Sequence, residues 1–369
     1  MKNIFKLLAF LPLLTACDDL FEPALENNRD LEAMYKEPSY AQGILANAYI
    51  ILPYETSPTS DLATDDAVTN EISSNYLRMA TGSWTANNNP VSQWQNRFNA
   101  IQYINLFLEN VDKVEWAKDE RISTMFLDRL KGEAYGLRAL HMYYLLRAHG
   151  GKIADGTLMG VPIILKSEGP DADFNHARAT YSDCVKQIME DADKAIELLP
   201  LDYKKFADSE ITEKYKNIGV TNASDYRRVC GEEYRGLMSG RIALAVRAQT
   251  ALLAASPAFQ SGSGMTWEQA ADYAAEIIEK ANGGGGCGLD ADGLEWYTLA
   301  DKDYGTGGSP AEVIWRSSTD DNNTLETANF PPSLYGNGRV NPTQNLVDAF
   351  PMANGYPISE TSGNYDAEN

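Results

Sequence analysis

Cysteine is scarce in this chain, 4 in 369 residues, and Cys17 stands where its thiol can do chemistry. Lys2 and Lys6 give a positive start, Leu7 to Leu14 an apolar run, and Ala16 the small residue a signal peptidase needs beside its cut. The run is too short for a membrane span, which takes roughly 20 apolar residues. Cleavage leaves Cys17 first, its thiol open to a diacylglycerol and its amine to a further acyl chain, and two or more chains anchor a protein stably. An ordinary secretory signal with a cysteine nearby would give the same export without the anchor. Cys184, Cys230 and Cys287 show no CxxC spacing. Export permits a Cys184–Cys230 disulfide, but nothing selects that pair, and inert or partly buried thiols are the expectation.

Catalytic and metal-binding constellations are thin. His141, His149 and His176 are the only histidines, none in an HExxH arrangement, and His141 is expected to be a hydrogen-bonded core residue. No GxSxG elbow or Cys/His pair marks a nucleophile. Gly283, Gly285 and Gly288 satisfy GxGxxG literally, yet they follow a helical pattern and open no helix, so a helix stop and loop explain them. Asp290, Asp292 and Glu295, with Asp301 and Asp303, resemble fragments of a calcium loop without the EF-hand pattern. A solvated loop is the expectation, with structural calcium as the alternative, and no cofactor or other metal is expected. Asp61, Asp65 and Asp66 can pose as a glycosidase pair, but among 52 acids that signal has little specificity.

The aromatic residues speak more clearly. The chain holds 6 Trp and 20 Tyr, several of them among Asn, Asp and Gly in long connections. Trp84 with Asn87, Trp296, Tyr304, Trp315 and Tyr335 combine flat aromatic faces with amides, a chemistry that suits the CH-rich faces and hydroxyl edges of sugars. Residues of this kind also anchor loops on a core. A net charge of −21 argues against nucleic acid, which needs clustered Lys and Arg, and against electrostatic adhesion to anionic lipid.

Helices must position these loops. Trp94, Phe98, Ile101, Asn105, Leu108 and Val111 recur at steps of three and four, so a helix spans about 91–112 with that stripe buried. Asn105 lies on the stripe and must be hydrogen-bonded to avoid a penalty of about 1–3 kcal/mol, fixing an interhelical contact. Further helices are expected at 119–148, at 180–199 with Thr180 as N-cap, at 238–255 with an alanine-rich face, and at 267–281. Large-to-small packing suggests tetratricopeptide-like pairs, without a clean 34-residue repeat. The fold class is therefore mostly α, with irregular excursions at 53–89, 200–237 and 284–345 that are too long for simple loops. Residues 1–16 read as signal peptide, 17–37 as an acidic lipidated tether, and 38–369 as the folded domain.

In order, these blocks resemble the SusD/RagB family of outer-membrane nutrient-binding lipoproteins. Trp94 with Tyr103-Ile104-Asn105 is similar to its first helix. Gly132-Glu133-Ala134-Tyr135-Gly136-Leu137-Arg138-Ala139, Tyr143-Tyr144, Gly150-Gly151 and Gly160-Val161-Pro162 resemble its central signature. Arg178-Ala179-Thr180-Tyr181 running to Leu199-Pro200, Gly240-Arg241 to Pro257, Glu312-Val313-Ile314-Trp315 and Pro342 to Gly355 follow the same order. The resemblance implies a helical body on the cell surface, seated on a SusC-like TonB-dependent transporter, with Asp18-Asp19 similar to the surface-export signal. It implies non-catalytic capture of oligosaccharide, or in some members peptide, with Trp84 and Asn87 where the family places an aromatic and an amide. Family members carry a further C-terminal portion, so truncation is expected after Asn354-Gly355.

Overall fold

The computed structural model describes residues 32–53, 60–85, 87–281, 313–316 and 322–359. Its helices of eight residues or more are α1 (Pro38–Ile50), α2 (Trp94–Asn110), α3 (Glu120–His149), α4 (Tyr181–Leu198), α5 (Ala223–Cys230), α6 (Gly240–Ala255) and α7 (Trp267–Ala281). The strands are short: β1 (Ala67–Thr69), β2 (Gly151–Lys152), β3 (Leu158–Met159) and β4 (Val340–Pro342).

The five helices expected from periodicity form, and successive ones run antiparallel. Gln93 meets His149 and Asn105 meets Arg138 across α2 and α3. Gly132 lies against Leu199 and Gly136 against Ala195 across α3 and α4. Gly240 donates to the Pro200 carbonyl and Arg247 pairs with Asp193 across α4 and α6, and Arg247 then pairs with Glu276 on α7. Each helix buries its stripe on the next, which is the packing logic of tetratricopeptide-like hairpins.

Local signals set the ends. Thr180 caps α4 by accepting from the Asp183 amide, as its sequence position implies, and Asp119 and Ser239 cap α3 and α6. Two glycines let α3 approach its neighbours. A Cβ at Gly132 would stand 2.6 Å from Leu199 Cγ, and one at Gly136 2.6 Å from Met238 Cγ. α3 is consequently buried on several faces in its C-terminal half, broader than the single stripe its periodicity suggests, because α1, α2, α4 and α6 all pack on it.

The core is polar where it is specified. Asn105 donates to the Ile164 and Lys166 carbonyls at 2.9 and 3.1 Å and accepts from Arg138 at 3.0 Å, so it ties α2 to α3 and to the chain crossing them. Arg138 forks onto buried Asp191 at 2.7 and 2.8 Å. The second buried pair, Arg129–Glu133, is looser, at 3.3 Å, with Tyr49 donating to Glu133 at 2.8 Å. Burial pushes the Glu133 carboxyl up, against the pull of Arg129. Cys184 and Cys230 are buried free thiols in separate apolar clusters, and burial raises both above the usual thiol range. The inert-thiol reading holds for these two, while Cys287 lies outside the described residues.

Order begins before α1. Met34 is fully buried and the Tyr35 hydroxyl donates to Asn110 at 2.9 Å, so residues 33–36 are part of the packed body.

A second layer is built differently. β1 and β4 pair antiparallel, with Val68 opposite Asn341, and stitch residues 60–85 to 322–359. Thr343 donates its amide to the Asp66 carbonyl at 2.9 Å, and Asn70 donates to the Asn337 carbonyl at 3.0 Å. No apolar residue of 322–359 is buried, whereas Phe330, Leu334, Val347, Phe350 and Tyr356 are exposed. Two of the excursions read as separate loops therefore converge into one lobe.

Candidate ligand-binding surface

The turn that presents Trp84 is built by its own backbone. Ser74 caps a short helix, Asn75–Ala80, that ends at Gly82, whose φ of 68° is the left-handed conformation glycine tolerates. Ser83 then donates back to the Arg78 carbonyl at 2.9 Å, and Thr85 and Asn88 bond to each other through both backbone amides, at 3.4 and 2.9 Å. Asn87 is exposed at the tip and Trp84 stands at its base, 48% exposed. Arg78 Nη1 donates to Asn88 Oδ1 at 3.3 Å, bracing the turn at its exposed surface.

A few residues on, the chain enters the body. The Gln93 amide donates to His149 Nε2 at 3.0 Å, and the Trp94 ring sits edge-on to Phe98 at 4.8 Å and to His149 at 5.3 Å. Burial, with Arg178 nearby, lowers the His149 pKa and favours the neutral, accepting ring. Trp94 itself is 43% exposed, which corrects its place on the buried stripe. It occupies the first turn of α2, at the end of the helix pair, where Phe98 and His149 hold the ring without covering it. The signal that could have found it is its position at the very start of the periodic run.

The other expected site residues divide. Tyr335 closes a 3-10 turn, Pro332–Leu334, at φ 64° and is 97% exposed, on the segment that β4 joins to the Trp84 side of the molecule. Trp315 is an anchor: its Nε1 donates to the Gly236 carbonyl at 2.8 Å and it packs on the core. Trp296, Tyr304, the calcium-like acids at 290–303 and Cys17 lie outside the described residues. Asp61, Asp65 and Asp66 are exposed. His141 is the core histidine expected, fully buried: Arg97 donates to Nδ1 at 3.2 Å and Nε2 bonds the Ala48 carbonyl at 3.1 Å. Burial first, and Arg97 second, lower its pKa to about 3. Among the described residues no group of three or more His, Cys, Asp or Glu is arranged to hold a metal, and no helix is long and apolar enough to cross a membrane.

The helical-hairpin body thus carries an exposed aromatic turn and an exposed aromatic lobe. Residues 25–214 match the SusD-like family model described as starch-binding and associating with the outer membrane, more than half of the chain, and the protein belongs to that family. Solved structures agree on the fold. A SusD-like protein of Bacteroides fragilis NCTC 9343 superposes with a TM-score of 0.64 at 17% identity, over 94% of this chain and 59% of that one. A SusD-like carbohydrate binding protein of the same strain gives 0.58 at 18%, over 91% and 57%. A SusD superfamily protein of Bacteroides vulgatus ATCC 8482 gives 0.53 at 18%, over 85% and 62%. The chain thus spans about three fifths of the length of these relatives. No curated protein matches it.

Proposed function

We propose that this protein is a non-catalytic capture protein for oligosaccharides at the outer membrane. Cys17 carries its lipid anchor at the cell exterior, the residues after it lead into a domain that residues 33–36 already join, and a SusC-like TonB-dependent transporter receives the ligand. The observation that carries the reading is Trp84, half out in solvent beside the backbone-bonded pair Thr85 and Asn88, with Asn87 exposed next to it. Stacking on an exposed indole buries a sugar's CH-rich face, and the nearby amide can read hydroxyl edges. Tyr335, Trp296 and Tyr304 are the further aromatic candidates. Family membership supports the ligand class and the membrane association.

Calorimetric titration of the full chain with a panel of host, plant and microbial oligosaccharides tests it, with Trp84→Ala alongside. Saturable binding that Trp84→Ala weakens tenfold or more is the expected result. Binding of mixed peptides alone would transfer the protein to peptide uptake, and release of shortened sugars would make it a hydrolase.

A further inference from the structure

The chain that bears Trp84 and Asn87 enters the body at Gln93. Asn89 folds it back behind the turn, its carbonyl accepting from the Ser92 amide at 3.2 Å and its side-chain oxygen from the Val91 amide at 3.0 Å. Gln93 follows as the N-cap of α2, and its side chain makes no cap bond. Its backbone amide donates instead to His149 Nε2 at 3.0 Å, and Trp94 sets its ring edge-on to the same imidazole. His149 is the last residue of α3 and is partly exposed, so a proton can reach it.

An amide N–H can only donate, so this bond requires a bare Nε2 and leaves the ring proton on Nδ1. Protonation turns Nε2 into a second donor and sets two N–H groups against each other. The Gln93 amide then finds an acceptor only in water, which requires the joint to part. The groups around the ring bear on how readily that happens. From α2 come the Gln93 amide and the Trp94 indole, neither of them charged. From the chain entering α4 comes Arg178, whose Nη2 donates to the His149 carbonyl at 2.7 Å, while Asp183 in the first turn of α4 accepts from Thr180. On α3 itself Arg147 lays its guanidinium on the Tyr144 ring, and Lys152 of β2 is exposed. Burial first, and Arg178 second, lower the His149 pKa, and among the described residues no carboxylate offsets them. The carbonyl end of a helix ordinarily favours imidazolium. Here Arg178 holds the carbonyl of His149 and the Gly150 amide that of Leu146.

We propose that His149 is a proton-sensitive latch: neutral, it holds the entry to α2 closed on α3, and protonated, it releases Gln93 and the chain from Asn89 to Trp94. The closed joint binds the proton more weakly than the open one, whose imidazole has the ordinary pKa near 6.5. Opening is therefore favoured as pH falls below that value, by up to about tenfold per unit, and above it the latch does not respond to pH. The released chain leads directly into the turn with Trp84 and Asn87, so acid loosens the hold on a ligand. That consequence alone rests on the capture reading.

Hydrogen exchange of the segment 82–96 in the full chain, corrected for the intrinsic dependence on pH, tests the latch. In the native chain, protection should fall at least about threefold from pH 7 to pH 5, in step with the titration of the His149 Cε1 proton resonance. His149→Gln keeps an oxygen acceptor that does not titrate, and protection there should stay level. His141→Gln should keep the fall, which separates the latch from acid destabilisation of the core. Level protection in the native chain overturns the latch, as does an equal fall in His149→Gln. Should that variant not fold, exchange out of step with the His149 resonance overturns it as well. Titration with the oligosaccharide panel that tests capture should show affinity declining with pH in the native chain and in His141→Gln, and constant in His149→Gln. Absence of sugar binding at every pH overturns capture, while the exchange result, which needs no ligand, still decides the latch.

Discussion

The helical body and the β1–β4 lobe solve opposite problems. In the body, side chains meet several neighbours, and the buried Arg138 is neutralised by Asp191 and steadied by Asn105. In residues 322–359 of the lobe no apolar side chain is buried, and three-residue strands hold the segment to residues 65–70. The body has the resources to fix a geometry, while the lobe presents groups to solvent. Function of the proposed kind needs both, because an exposed indole is selective only if its backbone is held still.

The contrast breaks first if the body tolerates loss of a buried charge. Asp191→Ala leaves Arg138 buried with Asn105 as its remaining polar partner, and removing one member of a buried pair costs about 3–5 kcal/mol. Urea unfolding should show that loss. A change below about 1 kcal/mol would mean that the network is not what organises the body.

Acid should act on the body through His141, with His149 pulling in the same direction. An unfolded imidazole takes its proton near pH 6.5, while folded His141 holds off until about 3. Between those values the unfolded state binds more protons, so stability falls as pH drops, by up to about 1.4 kcal/mol per unit. At pH 4.5 the contribution is about 2–3 kcal/mol, and above 6.5 it vanishes. Urea unfolding at pH 7, 5.5 and 4.5 should show a steeper slope for the native chain than for His141→Gln. Equal slopes would mean that burial does not keep the ring neutral.

Trp84→Ala should show the reverse profile, with stability within about 0.5 kcal/mol of the native chain and ligand binding weakened at least tenfold. An equal loss of both would make Trp84 a loop anchor, the role Trp315 plays against Gly236.

How far this division was legible in the sequence follows from its physics. Helices that bury a stripe announce it, so α2, α3, α4, α6 and α7 lie within a few residues of their expected spans, and Thr180 and Asn105 do what their types and positions require. α1 and α5 were not singled out. α5 is only 8 residues, and α1 mixes small and large apolar residues around its circumference. The pairing of β1 with β4 was beyond reach, since three residues carry no period and the partners are far apart in sequence. Composition could show that Trp84, Tyr335 and Trp315 sit among turn residues, but which is presented and which is tucked in depends on tertiary neighbours such as the Gly236 carbonyl.

The smallest effect tests the boundary between the two regions. Thr343 joins them in miniature: its hydroxyl donates to the Asp65 carbonyl and accepts from the Leu346 amide, capping the turn Gln344–Ala349. Thr343→Val keeps the shape and the backbone bond to Asp66 but removes the cap, at about 1 kcal/mol. If the lobe opens independently, amides of 66–70 and 340–346 exchange about fivefold faster while the unfolding midpoint of the body stays fixed. If the midpoint moves instead, the lobe and body unfold together. Trp84 would then be held by the whole core and not by its local turn alone, and a change anywhere along α3 would reach the ligand surface.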